Sequence, residues 1–272
     1  MIGKIKDVKF ARFLGGFISE GNLADNGTIK ITNQNLEFID HIVKCATANF
    51  GTDIVTSKPP TLEHISDKSK FGYHKYLSNK LGKFLMSCIE IKPGRRVIND
   101  DPLPSFVLEW SKNKEDLINF KEWLKNYLQS RLSGDGWVHL EKKWVGLTKV
   151  KALRMDSYME KKLLFLYSKG KRIKDYPKDF IEELKIESRR LRNFPKELIQ
   201  LNEFLHEIFN INSAVRCVGI RTIYFDKKRK IFVISGIYHL LIFRKDLIKF
   251  KQEINFLELD VRNRERLDYV TR

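Results

Sequence analysis

Apolar residues recur at helical spacing near the start of the chain and again around residue 128, and both runs end alike. Residues 13–21 read FLGGFISEG, and residues 128–136 read LQSRLSGDG. Each string holds two small residues one helical turn apart, then an acid and a glycine, and each closes an amphipathic pattern. The acids, Glu20 and Asp135, are separated by about the length of a small domain. A repeat at this separation predicts a protein of two related halves.

The pattern that follows the first run predicts a hairpin, a helix, two strands and a short helix. Asp25-Asn26-Gly27 is a turn signal, and an alternating strand follows it at 28–32. Asn33 is a candidate cap for the next helix. The other predicted elements of this half are a helix with its apolar face between Leu36 and Ala46, strands at 53–57 and 71–77, and a short helix around 81–88.

The second run is followed by the same succession of patterns, with one addition. The predicted elements are a long helix at 114–134, a hairpin at 137–153, a helix at 158–167, two strands within 213–238 and a helix at 244–254. Residues 171–212 have no counterpart in the first half, and Pro177 and Pro195 stand near two helix starts. The sequence therefore predicts an α+β fold of two halves, 1–108 and 109–272, with a helical insertion in the second.

Charge narrows the choice of partner. The chain has 51 Lys and Arg against 34 Asp and Glu, a net charge of +17, and such an excess favours a polyanionic partner, above all nucleic acid. The alternative is a Lys- and Glu-rich basic protein without one. No apolar run reaches the roughly 18 residues that a membrane span needs, and the N-terminus lacks a signal-peptide pattern.

Three scattered cysteines fit neither a zinc motif nor a disulfide framework. We therefore expect an intracellular protein, cytoplasmic in a prokaryote or located in an organelle.

The small residues of the repeated strings suggest what the acids do. Small side chains one turn apart let two helices approach closely, so the two helix ends, with Glu20 and Asp135, are expected to meet near the pseudo-two-fold axis. A carboxylate at a helix C-terminus opposes the macrodipole by about 0.3–1 kcal/mol, and two carboxylates repel each other. A hard divalent cation would relieve both problems, which points to metal-assisted phosphodiester hydrolysis. The alternative is two ordinary solvated acids at helix ends.

These residues resemble the LAGLIDADG homing endonucleases in their single-chain, two-motif form. The first motif matches at Gly15, Ser19, Glu20 and Gly21, and the second at Ser130, Gly134, Asp135 and Gly136, with polar Gln129 and Arg131 where the family is usually apolar. The resemblance implies two antiparallel sheets that form a DNA-binding saddle, with the motif helices at the seam. It also implies a monomer that cuts double-stranded DNA at a long, specific site.

The resemblance also implies roles for individual residues. Glu20 and Asp135 would be ligands of Mg²⁺, for which Mn²⁺ is a possible substitute, and the carbonyls of Ser19 and Gly134 would assist. Asn33 or Gln34 would position water, and Lys92 would support transition-state charge. The second half carries Asp260 where a lysine is expected. Arg262 is a candidate substitute, and otherwise the two catalytic halves are unequal.

Contacts with DNA are expected from polar residues that alternate along strands, and from basic residues at a hairpin tip. The four tryptophans are expected to be packing residues and not platforms on which bases stack. A solvated strand face is the alternative for any single contact residue. The candidates are Thr28, Lys30, Thr32, Lys149, Lys151, Arg154, Arg216, Arg221, Lys227, Lys228, Arg229 and Lys230.

Two functions remain open at this point. The first is a site-specific DNA endonuclease, intron-encoded or free-standing. The second is a binding protein of the same fold that no longer cleaves, such as an RNA splicing cofactor that binds intron RNA or a transcription regulator. The presence of both acids favours the enzyme, and the polar residues of the second motif keep the binder open.

Overall fold

The structure is a computed structural model. It describes residues 2–55, 58–66, 70–94, 100–153, 158, 161–162, 165–166, 176–190, 194–226 and 231–272. Within these ranges the helices are α1 (Ile2–Ile5), α2 (Val8–Glu20), α3 (Leu36–Phe50), α4 (Asn79–Cys88), α5 (Ser105–Trp110), α6 (Leu117–Asp135), α7 (Lys178–Arg190), α8 (Lys196–Glu207), α9 (Leu247–Glu253) and α10 (Val261–Thr271). The strands are β1 (Gly21–Leu23), β2 (Ile29–Asn33), β3 (Thr61–Ser66), β4 (Lys70–Leu77), β5 (Gly136–His139), β6 (Trp144–Leu153), β7 (Ser213–Asp226) and β8 (Ile231–Phe243).

The strands form two antiparallel four-stranded sheets of identical topology. Their orders are β1-β2-β4-β3 and β5-β6-β8-β7. The registers also correspond, because Gly21 pairs with Ile31 in the first sheet and Gly136 pairs with Leu147 in the second. The repeat seen in the sequence is therefore a repeat of structure, and the fold is α+β with a pseudo-two-fold relation between its halves.

The seam between the halves is formed by the two helices that end in acids, α2 and α6, which pack against each other along their length. A single buried core runs through both halves and includes Phe13 of α2 and Trp123 of α6. Helix α5 also joins the halves, because Phe106 contacts both Phe10 and Trp123. The predicted division after residue 108 falls inside α5, in a packed region of the protein.

Several predicted elements change position in the structure. The strand expected at 53–57 is a turn over residues 52–54 and strand β3 lies further on, while residues 56 and 57 lie outside the described ranges. Asn35 caps α3 in place of Asn33, since its side chain accepts from the backbone N–H groups of Glu37 and Phe38. Of the helix expected at 158–167, only residues 158, 161–162 and 165–166 are described, and all are helical.

The segment 171–212 has a partial counterpart after all. Helix α8 follows the second strand of its sheet and precedes the third, as α3 does in the first half. Both helices pack on their own seam helix, α3 through Ile42 beside Gly16 and α8 through Phe204 beside Phe120. Within the segment 171–212, only α7 is therefore additional among the described elements. The order of patterns alone could not show this, because α7 displaces α8 from its expected place in the sequence.

Among the described residues, no helix combines the length and the apolar character that crossing a bilayer requires.

Candidate metal and nucleic-acid site at the helix seam

The small residues of the two motifs lie where the seam helices touch. A Cβ atom added at Gly15 would overlap the carbonyl oxygen of Tyr127 and lie 3.2 Å from the Cβ of Ser130. A Cβ atom added at Gly134 would overlap the side chain of Ser19. Gly15 therefore faces Ser130 as Ser19 faces Gly134, which confirms close packing of the two helices through small residues.

The glycine after each acid lets the helix run directly into a strand. Gly21 and Gly136 have φ of −89° and −87° with extended ψ, so neither uses the left-handed conformation of a common helix cap. A side chain at Gly21 would overlap the ring of Phe17, and one at Gly136 would overlap the carbonyl of Leu132. Glycine is needed at both places because the chain turns tightly against its own last helical turn.

This geometry places the Glu20 carboxylate at the end of the partner helix. Glu20 Oε1 lies 3.5 Å from a Cβ atom built on Gly134, the residue before Asp135. The hydroxyl of Ser19 donates to the Gly15 carbonyl at 2.9 Å. Both helices end here, and the last carbonyls of a helix lack partners within the helix. The seam thus gathers carboxylate and carbonyl oxygens, the donors that Mg²⁺ prefers.

In the described part of the chain, no three His, Cys, Asp or Glu side chains gather as a ready-made metal cage. A metal ion at the seam would therefore need water or substrate phosphate to complete its coordination, as Mg²⁺ usually does.

Asp135 has a basic partner on its own helix. Arg131 lies one turn earlier, and its Nη1 forms an ion pair with Asp135 Oδ2. Arg131 is buried, with a side chain only 2% exposed, whereas the Asp135 side chain is 36% exposed. The second seam acid is thus already charge-compensated by the protein.

Arg131 is held in place by a buried carboxylate on α8. Its Nε donates to Glu197 Oε1 at 2.9 Å, and the hydroxyl of Tyr127 donates to the same oxygen at 3.1 Å. Lys149 forms an ion pair with Glu197 Oε2. Burial disfavours the charged form of Glu197, but the charges of Arg131 and Lys149 outweigh it and lower the pKa of the carboxyl far below its usual value. Likewise, Glu197 and Asp135 outweigh burial and raise the pKa of Arg131.

The two second-half lysines predicted to contact DNA lie on the wrong face of their strand. Lys149 and Lys151 lie on the same face of β6 as Val145 and Leu147 of the buried core, so they point toward the helices. Lys151 forms an ion pair with Asp100 at 2.6 Å, as Lys149 does with Glu197. The prediction for both residues is therefore corrected. The positive charge of the two lysines had suggested the solvent-exposed face of the sheet. Their partners, Glu197 and Asp100, are too distant in sequence to be predicted from local patterns.

The polar residues expected beside the acids have different surroundings. Asn33 ends β2, and its Oδ1 accepts from the backbone N–H of Asn35 at 2.7 Å, while Gln34 is exposed. Lys92 is exposed and lines a cleft of about 460 Å³ with Tyr127 and Glu197. The structure thus brings Lys92 near the buried network and leaves its side chain accessible.

Asp260, which stands where a lysine was expected, has a structural role. It caps α10, accepting from the backbone N–H of Asn263 at 3.3 Å and from its side-chain amide at 2.9 Å. Arg262 is exposed in the first turn of the same helix.

The outer face of the first sheet carries the predicted polar residues. Lys30 and Thr32 alternate with buried Ile29 and Ile31 and lie on the face away from the core, and Thr28 is half-buried just before β2. Thr32 Oγ1 shares a hydrogen bond with His74 Nδ1 at 2.8 Å. Burial and then the charge of Lys30 lower the pKa of His74, against an opposing effect of Glu63.

The corresponding face of the second sheet repeats the Thr–His pair and adds aromatic rings. Thr148 pairs with His239 across the strands, as Thr32 pairs with His74. Trp137 donates to Thr148 Oγ1 at 3.0 Å and contacts the His239 ring. Arg216 is exposed on this face, opposite His239. The paired histidines were not singled out from the sequence, and Trp137 was expected only to pack.

The remaining predicted DNA contacts cannot be placed. Arg154 and Lys227, Lys228, Arg229 and Lys230 lie outside the described residues, and Arg221 lies in β7 with its side chain outside the description.

Comparison with known proteins gives one kind of match. No family model and no curated protein matches the chain. Solved structures of the homing endonuclease I-DmoI do match. Mesophilic variants of I-DmoI are 12% identical to the chain, with 92% of each chain covered and a TM-score of 0.45.

Two further I-DmoI structures match in the same range. I-DmoI in complex with DNA and Ca is 13% identical, with 92% of this chain and 90% of that one covered and a TM-score of 0.45. An I-DmoI variant with nicked target DNA and Mn is 13% identical, with 92% and 96% covered and a TM-score of 0.40.

Proposed function

We propose that the protein is a metal-dependent, site-specific DNA endonuclease of the LAGLIDADG type that acts as a monomer. The observation that carries this proposal is the position of the Glu20 carboxylate, which reaches the end of the partner helix beside Asp135. A carboxylate at the C-terminus of one helix and against the end of another is electrostatically unfavourable. A bound cation would offset this unfavourable interaction.

The donors at the seam fit a hard divalent ion. Glu20 would hold Mg²⁺, or Mn²⁺ in its place, together with backbone carbonyls of Ser19 and Gly134 and a substrate phosphate. The ion would supply charge stabilisation and an activated water. In the hydrolysis, the oxygen of water joins phosphorus and one P–O ester bond breaks. The two protons of water pass to the leaving oxygen and to solvent.

Residues around the seam would orient the substrate. Lys92 is exposed at the edge of the adjoining cleft, where its ammonium group would offset charge on the phosphate. The outer sheet faces present Lys30 and Thr32 in one half and Arg216 in the other. Such side chains can neutralise phosphates and read base edges. A net charge of +17 supports a long DNA partner, and we propose an intron-encoded or free-standing origin and an intracellular location.

Scission of DNA tests this proposal. A plasmid that carries the uninterrupted genomic locus of the protein is incubated with the full chain and Mg²⁺. We expect breaks at one position with the wild type and with Glu37→Gln, which alters an exposed acid in the first turn of α3. We expect none with Glu20→Gln, which keeps the shape of the side chain but removes its charge. Equal scission by Glu20→Gln would disprove the proposal.

A second candidate function is nucleic-acid binding without cleavage, as in an RNA splicing cofactor that binds intron RNA or a transcription regulator. The ion pair between Arg131 and Asp135 favours it, because one seam acid is already neutralised. Tight binding with no strand breaks in Mg²⁺ or Mn²⁺ would support this candidate in place of the endonuclease.

A further inference from the structure

The two sheets differ in chemistry at positions that their matching registers make equivalent. The cross-strand pair of Asn22 and Lys30 in the first sheet corresponds to the pair of Trp137 and Gly146 in the second. One position further on, Thr28 precedes Ile29 as Trp144 precedes Val145. The equivalent pairs are thus Asn22 with Trp137, Thr28 with Trp144, and Lys30 with Gly146. Polar side chains in one half are replaced by two indole rings and a glycine in the other.

These rings belong to one continuous aromatic cluster, formed by Trp137, His139, Trp144 and Phe243. The ring centroids of Trp137 and His139 are 6.3 Å apart, and those of His139 and Trp144 are 6.0 Å apart. Phe243 follows at 6.1 Å from Trp144. The aromatic cluster therefore crosses three strands, β5, β6 and β8, on the face of the sheet that points away from the core.

Both tryptophans turn their N–H edge toward the sheet. The Nε1 of Trp137 donates to Thr148 Oγ1 at 3.0 Å, and its ring lies over Gly146, where any side chain would overlap it. The Nε1 of Trp144 is buried and has no hydrogen-bond partner among the described residues. A buried N–H without a partner is unfavourable, and phenylalanine would avoid that cost. Packing alone therefore does not account for a tryptophan at 144, and ring carbons face outward at both positions.

Exposed cations border the aromatic cluster. The guanidinium carbon of Arg216 lies 5.4 Å from the centroid of the Phe243 ring, and Lys142 Nζ lies 5.1 Å from that of Trp144. Arg244 is exposed directly after Phe243, and Glu141 is an exposed acid in the same turn as Lys142. Aromatic rings on a sheet, with basic residues beside them, are the arrangement on which unpaired bases stack while cations hold the backbone.

A base-paired duplex makes poor use of such a surface. Its bases are stacked on one another and present only their edges in the grooves, whereas an unpaired base offers a ring face. The polar outer face of the first sheet, with Lys30 and Thr32, is suited to edges and phosphates. The aromatic cluster of the second sheet is suited to ring faces.

The geometry points to a second nucleic-acid site, in which the aromatic cluster binds a single-stranded segment by stacking unpaired bases on Trp137 and Trp144. Trp110 and Trp123 are buried in the core, as expected of packing residues, so the site is assigned to the other two tryptophans alone. It goes beyond the proposed cleavage of duplex DNA, and it depends neither on a metal ion nor on the seam acids. RNA and single-stranded DNA share the chemistry that this site recognises.

A strand without bases tests the site in the wild-type protein. Fluorescence anisotropy measures the affinity of the full chain for a labelled single strand of about 12 nucleotides, and for an abasic strand with the same number of phosphates. We expect the strand with bases to bind at least about tenfold more tightly, because each stacked base contributes to affinity. Equal affinity for the two strands would overturn the proposal, since it would leave only phosphate contacts.

Ring-removing variants locate the site. Trp144→Leu keeps an apolar side chain and should weaken binding of the single strand by about 5- to 100-fold, with a smaller loss for a duplex of the same sequence. Trp144→Phe keeps a ring and should retain most of the affinity. The matched control is Tyr269→Leu, which removes an exposed ring on α10 and should change nothing. Equal losses for single strand and duplex in a Trp144→Leu protein with a wild-type circular dichroism melt would overturn the proposal. If Trp144→Leu does not fold, the comparison with the abasic strand decides.

The sugar identifies the source of the strand. RNA and DNA strands of one sequence are compared in the same assay, and tighter binding of either one supports stacking and names the partner. Failure to bind either strand more tightly than the abasic one would overturn the site for both.

This proposal and the proposed endonuclease fail separately. Preference for the strand with bases, without any scission of the locus, contradicts the endonuclease and leaves the stacking site standing. Scission of the locus, with equal affinity for abasic and ordinary strands, contradicts the stacking site and leaves the endonuclease standing.

Discussion

At the scale of single residues, the two halves differ at Gly16 and Arg131, which lie at equivalent positions five residues before Gly21 and Gly136. Glycine in α2 lets Ile42 of α3 pack close to the helix backbone. Arginine in α6 reaches forward to Asp135 and sideways to Glu197. One exchange between equivalent positions therefore changes a packing contact into an ion-pair network, and it changes the electrostatic surroundings of one seam acid.

The buried carboxylate of Glu197 stabilises the folded protein in a pH-dependent way. Replacement by Gln leaves Lys149 without its buried partner, and we expect it to cost about 3–5 kcal/mol of unfolding free energy at pH 7. The pKa of Glu197 is lowered in the folded state. Its stabilising effect is therefore fully present above the unfolded pKa, near 4.3, and is lost as pH falls toward the folded pKa.

Urea unfolding of the wild type and of Glu197→Gln at pH 7 and pH 3 measures this effect. The difference in unfolding free energy should be smaller at pH 3. A difference that is equal at both values, or larger in acid, would contradict the assignment of Glu197 as an ionised partner.

Close helix approach at the seam makes Gly15 sensitive to any side chain. The Cβ of Gly15→Ala would overlap a backbone carbonyl of α6, and we expect a loss of about 1–3 kcal/mol in unfolding free energy. Gly3→Ala is the matched control, because a Cβ there has no neighbour within 4 Å. Its stability should be unchanged or slightly raised. Equal melting temperatures for both variants would argue against the packed seam.

The residue scale also shows where sequence alone succeeds and fails. Spacing identified the small residues and the acids at the seam, because helical periodicity is local. Glu197 was not anticipated as the partner of Arg131, since 66 positions separate them and nothing local links them. The burial of Lys149 was not predicted either. Its charge favoured the face of the sheet that binds DNA, whereas its position along the strand places it on the core face.

At the scale of elements, each seam helix passes into a strand without a loop, and this transition fixes where the acid points. Glu20 is the last residue of α2 and Gly21 the first of β1, and Asp135 and Gly136 repeat the arrangement. The order of helices and strands in the first half followed from periodicity and turn signals. The correspondence of α8 to α3 could not be predicted in this way, because α7 lies between β6 and α8, whereas α3 directly follows β2.

The cap of α10 accounts for an acid where a lysine was expected. Asp260→Lys removes a side chain that accepts from the backbone N–H of Asn263, and we expect a loss of about 1 kcal/mol in unfolding free energy. Asp260→Asn retains a good capping side chain and should stay within a few tenths of a kcal/mol of the wild type. Chemical denaturation compares the two variants. Equal losses would show that the cap contributes nothing.

At the scale of the whole molecule, a duplicated topology and a strong positive charge together define the surface that we propose for DNA. The two sheets share strand order and register, so their outer faces form corresponding surfaces. The pseudo-symmetry could be predicted from two short motifs, because both lie at the same place in the order of elements. The unequal chemistry of the halves could not, since it arises from contacts between distant segments.

DNA binding should weaken strongly with salt, and single lysines should contribute to that dependence in a position-specific way. Lys30→Ala on the outer face of β2 should lower the slope of log affinity against log salt by about 1. Lys75 lies one strand away on the opposite face and pairs with Asp40, so Lys75→Ala should leave the slope unchanged. Fluorescence anisotropy over a range of KCl concentrations measures both. A lower slope for Lys75→Ala with an unchanged slope for Lys30→Ala would show that DNA binds the opposite face of the sheet.

Following each strand of the target separately shows directly whether Glu20 is required for scission. A duplex of the locus is labelled at one end of each strand in turn and incubated with the protein and Mg²⁺, and the products are resolved on a denaturing gel. We expect the wild type to cut the duplex at a single position and Glu20→Gln to cut neither strand. Cleavage by Glu20→Gln at the wild-type rate would contradict the proposed endonuclease.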